Sequence, residues 1–250
     1  MLIRKMSKIL ISFLTSDSGI INGNYVMEKK QLMKTIVTDG ITYIKPVPGA
    51  TADWYYGLDY EQGDLYEAEE IYKSGTHLKG RKLCLIHYPD GTVYVPVPQA
   101  KDQYCDIPVF LDNGIFALNV DFGKGQIRII RFDCTTYTSE IHAEIPLASV
   151  KDCYNLRLHI SPLTLSRQCV GENEFEIVWP EKAAFPMGDR EAFFLRDKER
   201  LFFSRWNEEG EGADYKYWEE TIIKDIKGNI LETLPGDMML MPNGDIWHLK

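Results

Sequence analysis

The residues best suited to chemistry cluster between Pro46 and Tyr72. Seven carboxylates fall there, on Asp53, Asp59, Glu61, Asp64, Glu67, Glu69 and Glu70, with no Lys or Arg among them. Trp54, Tyr55, Tyr56, Tyr60, Tyr66 and Tyr72 are interleaved with these acids. Aromatic faces stack on sugars and attract cations, and carboxylates accept hydrogen bonds. Trp54, Tyr55, Tyr56, Asp59, Glu61 and Asp64 are therefore the candidate ligand-binding set, for a small molecule, a glycan or a protein. The plainer reading of the same stretch makes the aromatics core residues and the acids their solvent-facing neighbours. A calcium loop is a third reading. Asp59, Glu61, Glu67 and Glu70 stand at its first, third, ninth and twelfth positions, but Asp64 occupies the sixth, where the sharp turn needs Gly. No metal is expected.

Elsewhere the search for chemistry returns little. The chain has no nucleophile elbow, no H-E-x-x-H and no phosphate-binding glycine fingerprint; Gly123-Lys124-Gly125 reads as a hairpin turn. His77, His87, His142, His159 and His248 are scattered, each in or beside a strand-like run. A second acidic group, Glu208, Glu209, Glu211 and Asp214 with Glu219 and Glu220, reads as a solvated loop. Glycoside hydrolysis would need two carboxylates about 5–9.5 Å apart, a spacing many acids here could supply. No catalytic residue and no cofactor are assigned. The expected role is a non-catalytic binding or interaction protein. The alternatives are a carbohydrate-active hydrolase or lyase using loop carboxylates, and a metal-stabilised structural module.

Composition narrows the partners. With 37 acids against 28 bases the net charge is −9. A nucleic-acid binder needs a basic footprint to neutralise phosphates, so neither nucleic acid nor an anionic membrane surface is expected as partner. Cys84, Cys105, Cys134, Cys153 and Cys169 are odd in number and irregularly spaced, as for reduced structural thiols. They point to a reducing compartment. The N-terminus is basic and then apolar over Ile9–Leu14, but the run is short and no small-residue cleavage site follows, so a strand over Ser7–Leu14 and a cytoplasmic location are expected.

These residues must be positioned by strands. Phe116, Leu118, Val120 and Phe122 share one parity, the period of a sheet with one buried face. Over Gln126–Phe132, Ile127 and Ile129 lie on one face and Ile130 and Phe132 on the other, which suits a bulge. Asp39-Gly40, Asp90-Gly91, Asn113-Gly114 and Asn243-Gly244 suit hairpin turns that need positive φ. Asp197-Lys198 and Gly228-Asn229 read as further hairpins. Gly40, Gly91 and Gly244 fit a period near 51 residues, broken around position 142 and by Gly114. Glu28–Lys34 and Leu65–Tyr72 suit one or two helical turns each.

The stretch Thr221–Leu249 alternates strands with Lys227-Gly228-Asn229, Leu234-Pro235-Gly236-Asp237 and Pro242-Asn243-Gly244-Asp245. In this it resembles β-propeller repeats, at the level of architecture and without the signature of any one family. The resemblance implies an all-β antiparallel propeller of about five blades in one domain over residues 1–250. The last strands would close the ring with Ile9–Leu14 and Asn24–Met27. A β-sandwich or irregular barrel is the alternative.

Overall fold

The computed structural model describes residues 33–50, 52–59, 63–241 and 245–250. The chain divides into two compact units, Met1–Thr35 and Ile36–Lys250, and all the strands described lie in the second. The strands expected at 7–14 and 24–27, and the ring closure they would make, fall outside the described residues, as do most of the helical turns expected over 28–34.

Four small sheets follow one another along the chain, every pairing antiparallel. The first holds β1 (Ile44–Pro46), β2 (Trp54–Leu58), β3 (Leu83–His87) and β4 (Val93–Tyr94), in that order. A helix, α1 (Leu65–Lys73), lies between β2 and β3. The second sheet holds β5 (Gln103–Cys105), β6 (Val109–Leu111), β7 (Gly114–Asp121), β8 (Gln126–Asp133) and β9 (Ser139–Pro146). Both β5 and β6 pair with β7, at opposite ends of it. The third holds β10 (Arg157–His159), β11 (Thr164–Cys169), β12 (Glu174–Trp179) and β13 (Ala183–Pro186). The fourth holds β14 (Glu191–Asp197), β15 (Arg200–Glu209), β16 (Lys216–Asp225) and β17 (Ile230–Pro235). A hairpin of β18 (Asp237–Leu240) and β19 (Ile246–Leu249) ends the chain.

The four sheets are arranged in a ring that resembles a β-propeller. The blade count is four rather than about five. The expected fifth unit crosses a boundary: β16 and β17 belong to the fourth sheet, and Gly236 separates them from the β18–β19 hairpin. Among the described residues no helix is long and apolar enough to cross a membrane.

Successive sheets share cores, and side-chain parity explains how. In β7, Phe116, Leu118 and Val120 join a cluster with Leu158, Leu165 and Val178 of the third sheet. Ile115 and Ala117, of the other parity, join Trp54, Tyr56 and Leu85 of the first. β7 is therefore buried on both faces. β8 serves the same two cores by a different device. Its pairing with β9 shifts register between Ile129 and Ile130, as the sequence predicts. The bulge sends Ile127 and Ile129 to one core and Ile130 and Phe132 to the other. A third core joins Phe175 and Ile177 to Phe193, Leu201, Phe203 and Ile222, locking the third sheet to the fourth.

The turns refine the sequence reading. β6 and β7 are joined by Asp112 and Asn113, both at positive φ (48° and 56°), while Gly114 is the first residue of β7. Asp and Asn tolerate this backbone region better than other non-glycine residues, so the pair replaces the expected Asn-Gly. The spacing of Gly40 and Gly91 is not a blade period. Gly40 precedes β1, Gly91 joins β3 to β4, and the sheets begin at unequal intervals, at Ile44, Gln103, Arg157 and Glu191.

Candidate functional site

The link from β5 to β6 in the second sheet, the first strands of the third and fourth sheets and the β18–β19 hairpin converge on a pocket of about 240 Å³. Pro48 closes it from the β1–β2 turn, where the Phe110 N–H donates to the Pro48 carbonyl at 2.8 Å. Gly49 follows at φ +83°. A Cβ there would lie 2.7 Å from the Phe110 carbonyl oxygen and 2.9 Å from Ile160 Cδ1, so only glycine lets this turn close on the pocket wall. Val109, Leu158, Ile160, Leu195, Leu240 and Ile246 supply apolar wall.

Two acidic side chains, two arginines and a histidine line the same space. Asp106 lies just beyond β5, its Oδ1 3.7 Å from Arg81 Nη1. Burial holds its carboxyl above the usual carboxylate range, against the pull of the Ile107 N–H and of Arg157 and Arg81. Arg81 is itself fixed. Its Nε donates to the Asp59 carbonyl at 2.8 Å, its Nη1 donates to the Cys105 carbonyl at 3.3 Å, and its guanidinium lies 4.7 Å from the Tyr104 ring centre. Arg196, on β14, is also closed: Nη1 meets Glu181 at 2.5 Å and Thr164 at 3.2 Å, and Nε donates to the Lys198 carbonyl at 2.6 Å. Arg157 and Asp197 differ. Neither has a hydrogen-bond or ion-pair partner among the described residues, and both line the pocket.

His159 sits in the wall with its ring 4.7 Å from that of Phe193, edge to face. Burial, aided by the Arg157 charge, pushes its pKa down to about 4, so the ring is neutral near pH 7. No hydrogen bond joins His159 to the nearby Ser161 among the described residues.

The sequence-predicted set is distributed rather than brought together. Trp54 is buried in the core between the first and second sheets, its ring 4.8 Å from His87, 5.7 Å from Tyr94 and 5.6 Å from Phe132. Tyr56 is buried in the same core. Tyr55 points to the opposite face of β2, against Ile41, Cys84 and Ile86. Asp64 caps α1: its Oδ1 accepts from the Glu67 N–H at 2.9 Å, and its own N–H donates to Glu67 Oε2 at 2.8 Å. Glu61 lies outside the described residues. Asp59 contributes the carbonyl that holds Arg81, and the Gly63 carbonyl accepts from the Tyr104 hydroxyl. The acidic segment thus stands one layer behind the pocket and braces the residues around Asp106.

The remaining acids of the segment are also engaged. Glu69 accepts from the Cys153 N–H at 2.7 Å, and Glu70 meets Lys73 at 3.3 Å. Among the described residues no group of three or more His, Cys, Asp or Glu is placed to hold a metal ion. All five cysteines are free thiols, and burial pushes Cys105 up to about 11.

Sequence reasoning missed Asp106, Arg157 and Asp197. Each lies on or just past the first strand of a sheet. Correct sheet boundaries would have placed them together; no motif would. The chain matches no protein-family model and no curated protein.

Proposed function

We propose that this protein is a non-catalytic binder of a small molecule, held in the central pocket of the ring. The observation that carries the reading is the convergence of three sheets and a hairpin on one concave space that combines apolar wall with two charged groups, Arg157 and Asp197, that have no ion-pair partner among the described residues. The charged groups stand on strand ends anchored in shared cores, so the pocket is preformed and ordering it costs a ligand little. At about 240 Å³ the space suits a metabolite of modest size rather than a polymer.

A thermal-shift screen of the full chain against a library of small metabolites tests this. Compounds that raise the melting temperature of the natural protein should lose that effect in Leu240→Trp, which places a bulky ring in the pocket mouth. A library without a single stabilising compound, or shifts that survive Leu240→Trp, would overturn the reading.

One observation favours a second reading, a hydrolase acting on carbohydrate. Asp106 lines the same pocket as Asp197, and glycoside hydrolysis uses a pair of carboxyls flanking the bond. Turnover of aryl glycosides that disappears in Asp106→Asn would select this reading over the first.

A further inference from the structure

The charges of the pocket narrow its ligand, on the reading that the pocket is the binding site. Two basic side chains of the region already have partners, Arg81 with Asp106 and Arg196 with Glu181. The two left over are of opposite sign. Arg157, on β10, is exposed, with five N–H donors and no acceptor within ion-pair distance among the described residues. Asp197, the last residue of β14, is half-buried and likewise unmatched. A purely anionic ligand would satisfy Arg157 and be repelled by Asp197 and Asp106. A purely cationic ligand would do the reverse. A neutral sugar would leave both charges without a charged partner. Only a ligand carrying both signs answers the pair, and the apolar wall of Val109, Leu158, Ile160, Leu195, Leu240 and Ile246 suits an aliphatic remainder.

We propose that the central pocket binds a small zwitterion of the aliphatic amino-acid type, its carboxylate on Arg157 and its ammonium on Asp197. Arg157 presents the planar fork that matches a carboxylate through two parallel hydrogen bonds. Asp197 accepts from the ammonium, with Asp106 adding negative potential from behind. His159, neutral near pH 7, adds no competing charge.

Isothermal titration calorimetry of the full chain with four probes tests the assignment: L-leucine, L-leucinamide (no carboxylate), 4-methylpentanoate (no amine) and glucose. Leucine should bind, with each singly charged analogue weaker by about ten- to a hundredfold, the size of one lost charge-assisted contact. Arg157→Gln should abolish the preference for leucine over leucinamide while keeping that over 4-methylpentanoate. Asp197→Asn should do the opposite. Both side chains are accessible, so neither change removes core packing, and unaltered far-UV circular dichroism checks that the fold is kept. Equal affinity for leucine and either analogue, or a preference unmoved by the matching substitution, would overturn the zwitterion. Absence of leucine binding would overturn it too. If glucose or another metabolite then stabilises the protein and loses that effect in Leu240→Trp, the pocket stands as a binding site and only the ligand class falls.

Discussion

His159 shows how a single residue can be tuned by its place in the ring. Its ring lies against Phe193 in the pocket wall, and burial lowers its pKa from 6.5 to about 4. In the unfolded chain the imidazole takes up a proton as pH falls below about 6.5, while the native ring stays neutral until about 4. Unfolded molecules therefore bind more protons in that window, and stability rises with pH across it and is fully present above it. Urea unfolding at a series of pH values should show this acid-side loss, with a slope of up to about 1.4 kcal/mol per pH unit from this one group. His159→Phe keeps the ring contact and removes the titration, so the slope between pH 4 and 6.5 should flatten. An unchanged slope would place the proton uptake on other groups.

Among the elements, β8 carries the most structural information. Its bulge at Ile129/Ile130 lets one strand feed two cores. Phe132, beyond the bulge, is buried against Trp54 and Tyr94 with ring centres 5.6 Å and 5.3 Å away. Phe132→Ala should cost about 3–5 kcal/mol, the usual range for a large aromatic removed from a core. Ile141, opposite Ile130 on the paired edge strand β9, is 58% exposed. Ile141→Ala should change stability by no more than about 0.5 kcal/mol. Chemical denaturation of both variants separates the bulge, which decides which face is buried, from strand propensity, which treats the two positions alike. The alternation in β7 and the parity switch in β8 were legible in the sequence because a strand's two faces follow from neighbouring residues alone. The buried pair of Glu191 on β14 and Lys224 on β16, 2.5 Å apart, was not. Nothing local marks a lysine as core, and only the alignment of two strands brings its partner within reach.

At the scale of the whole ring, sharing of cores is the organising fact. The first and second sheets, the second and third, and the third and fourth each hold one hydrophobic cluster between them. A sheet that unfolds exposes clusters on its neighbours, so the unit from Ile36 to Lys250 should melt in a single step. Phe203→Ala, in the cluster between the third and fourth sheets, and Phe132→Ala, between the first and second, should lower the same transition. Far-UV circular dichroism and tryptophan fluorescence should give coincident midpoints in both variants. Two separated transitions in either would show that the sheets unfold independently.

The sequence by itself determined the all-β character, the positions of β7, β8 and several C-terminal strands, and several of the turns, because hydrophobic period, bulge and turn preference depend on residues next to one another. It also raised three readings of the Pro46–Tyr72 segment, and the described residues of that segment pack Trp54 and Tyr56 as core and use Asp64 as a helix cap. The tertiary structure alone decided where one sheet stops and the next begins, and hence that the ring has four sheets. It alone brought Asp106, Arg157 and Asp197 to one pocket. These residues are far apart along the chain and share no motif. Their proximity comes from the arrangement of the sheets in a ring, which no local pattern encodes.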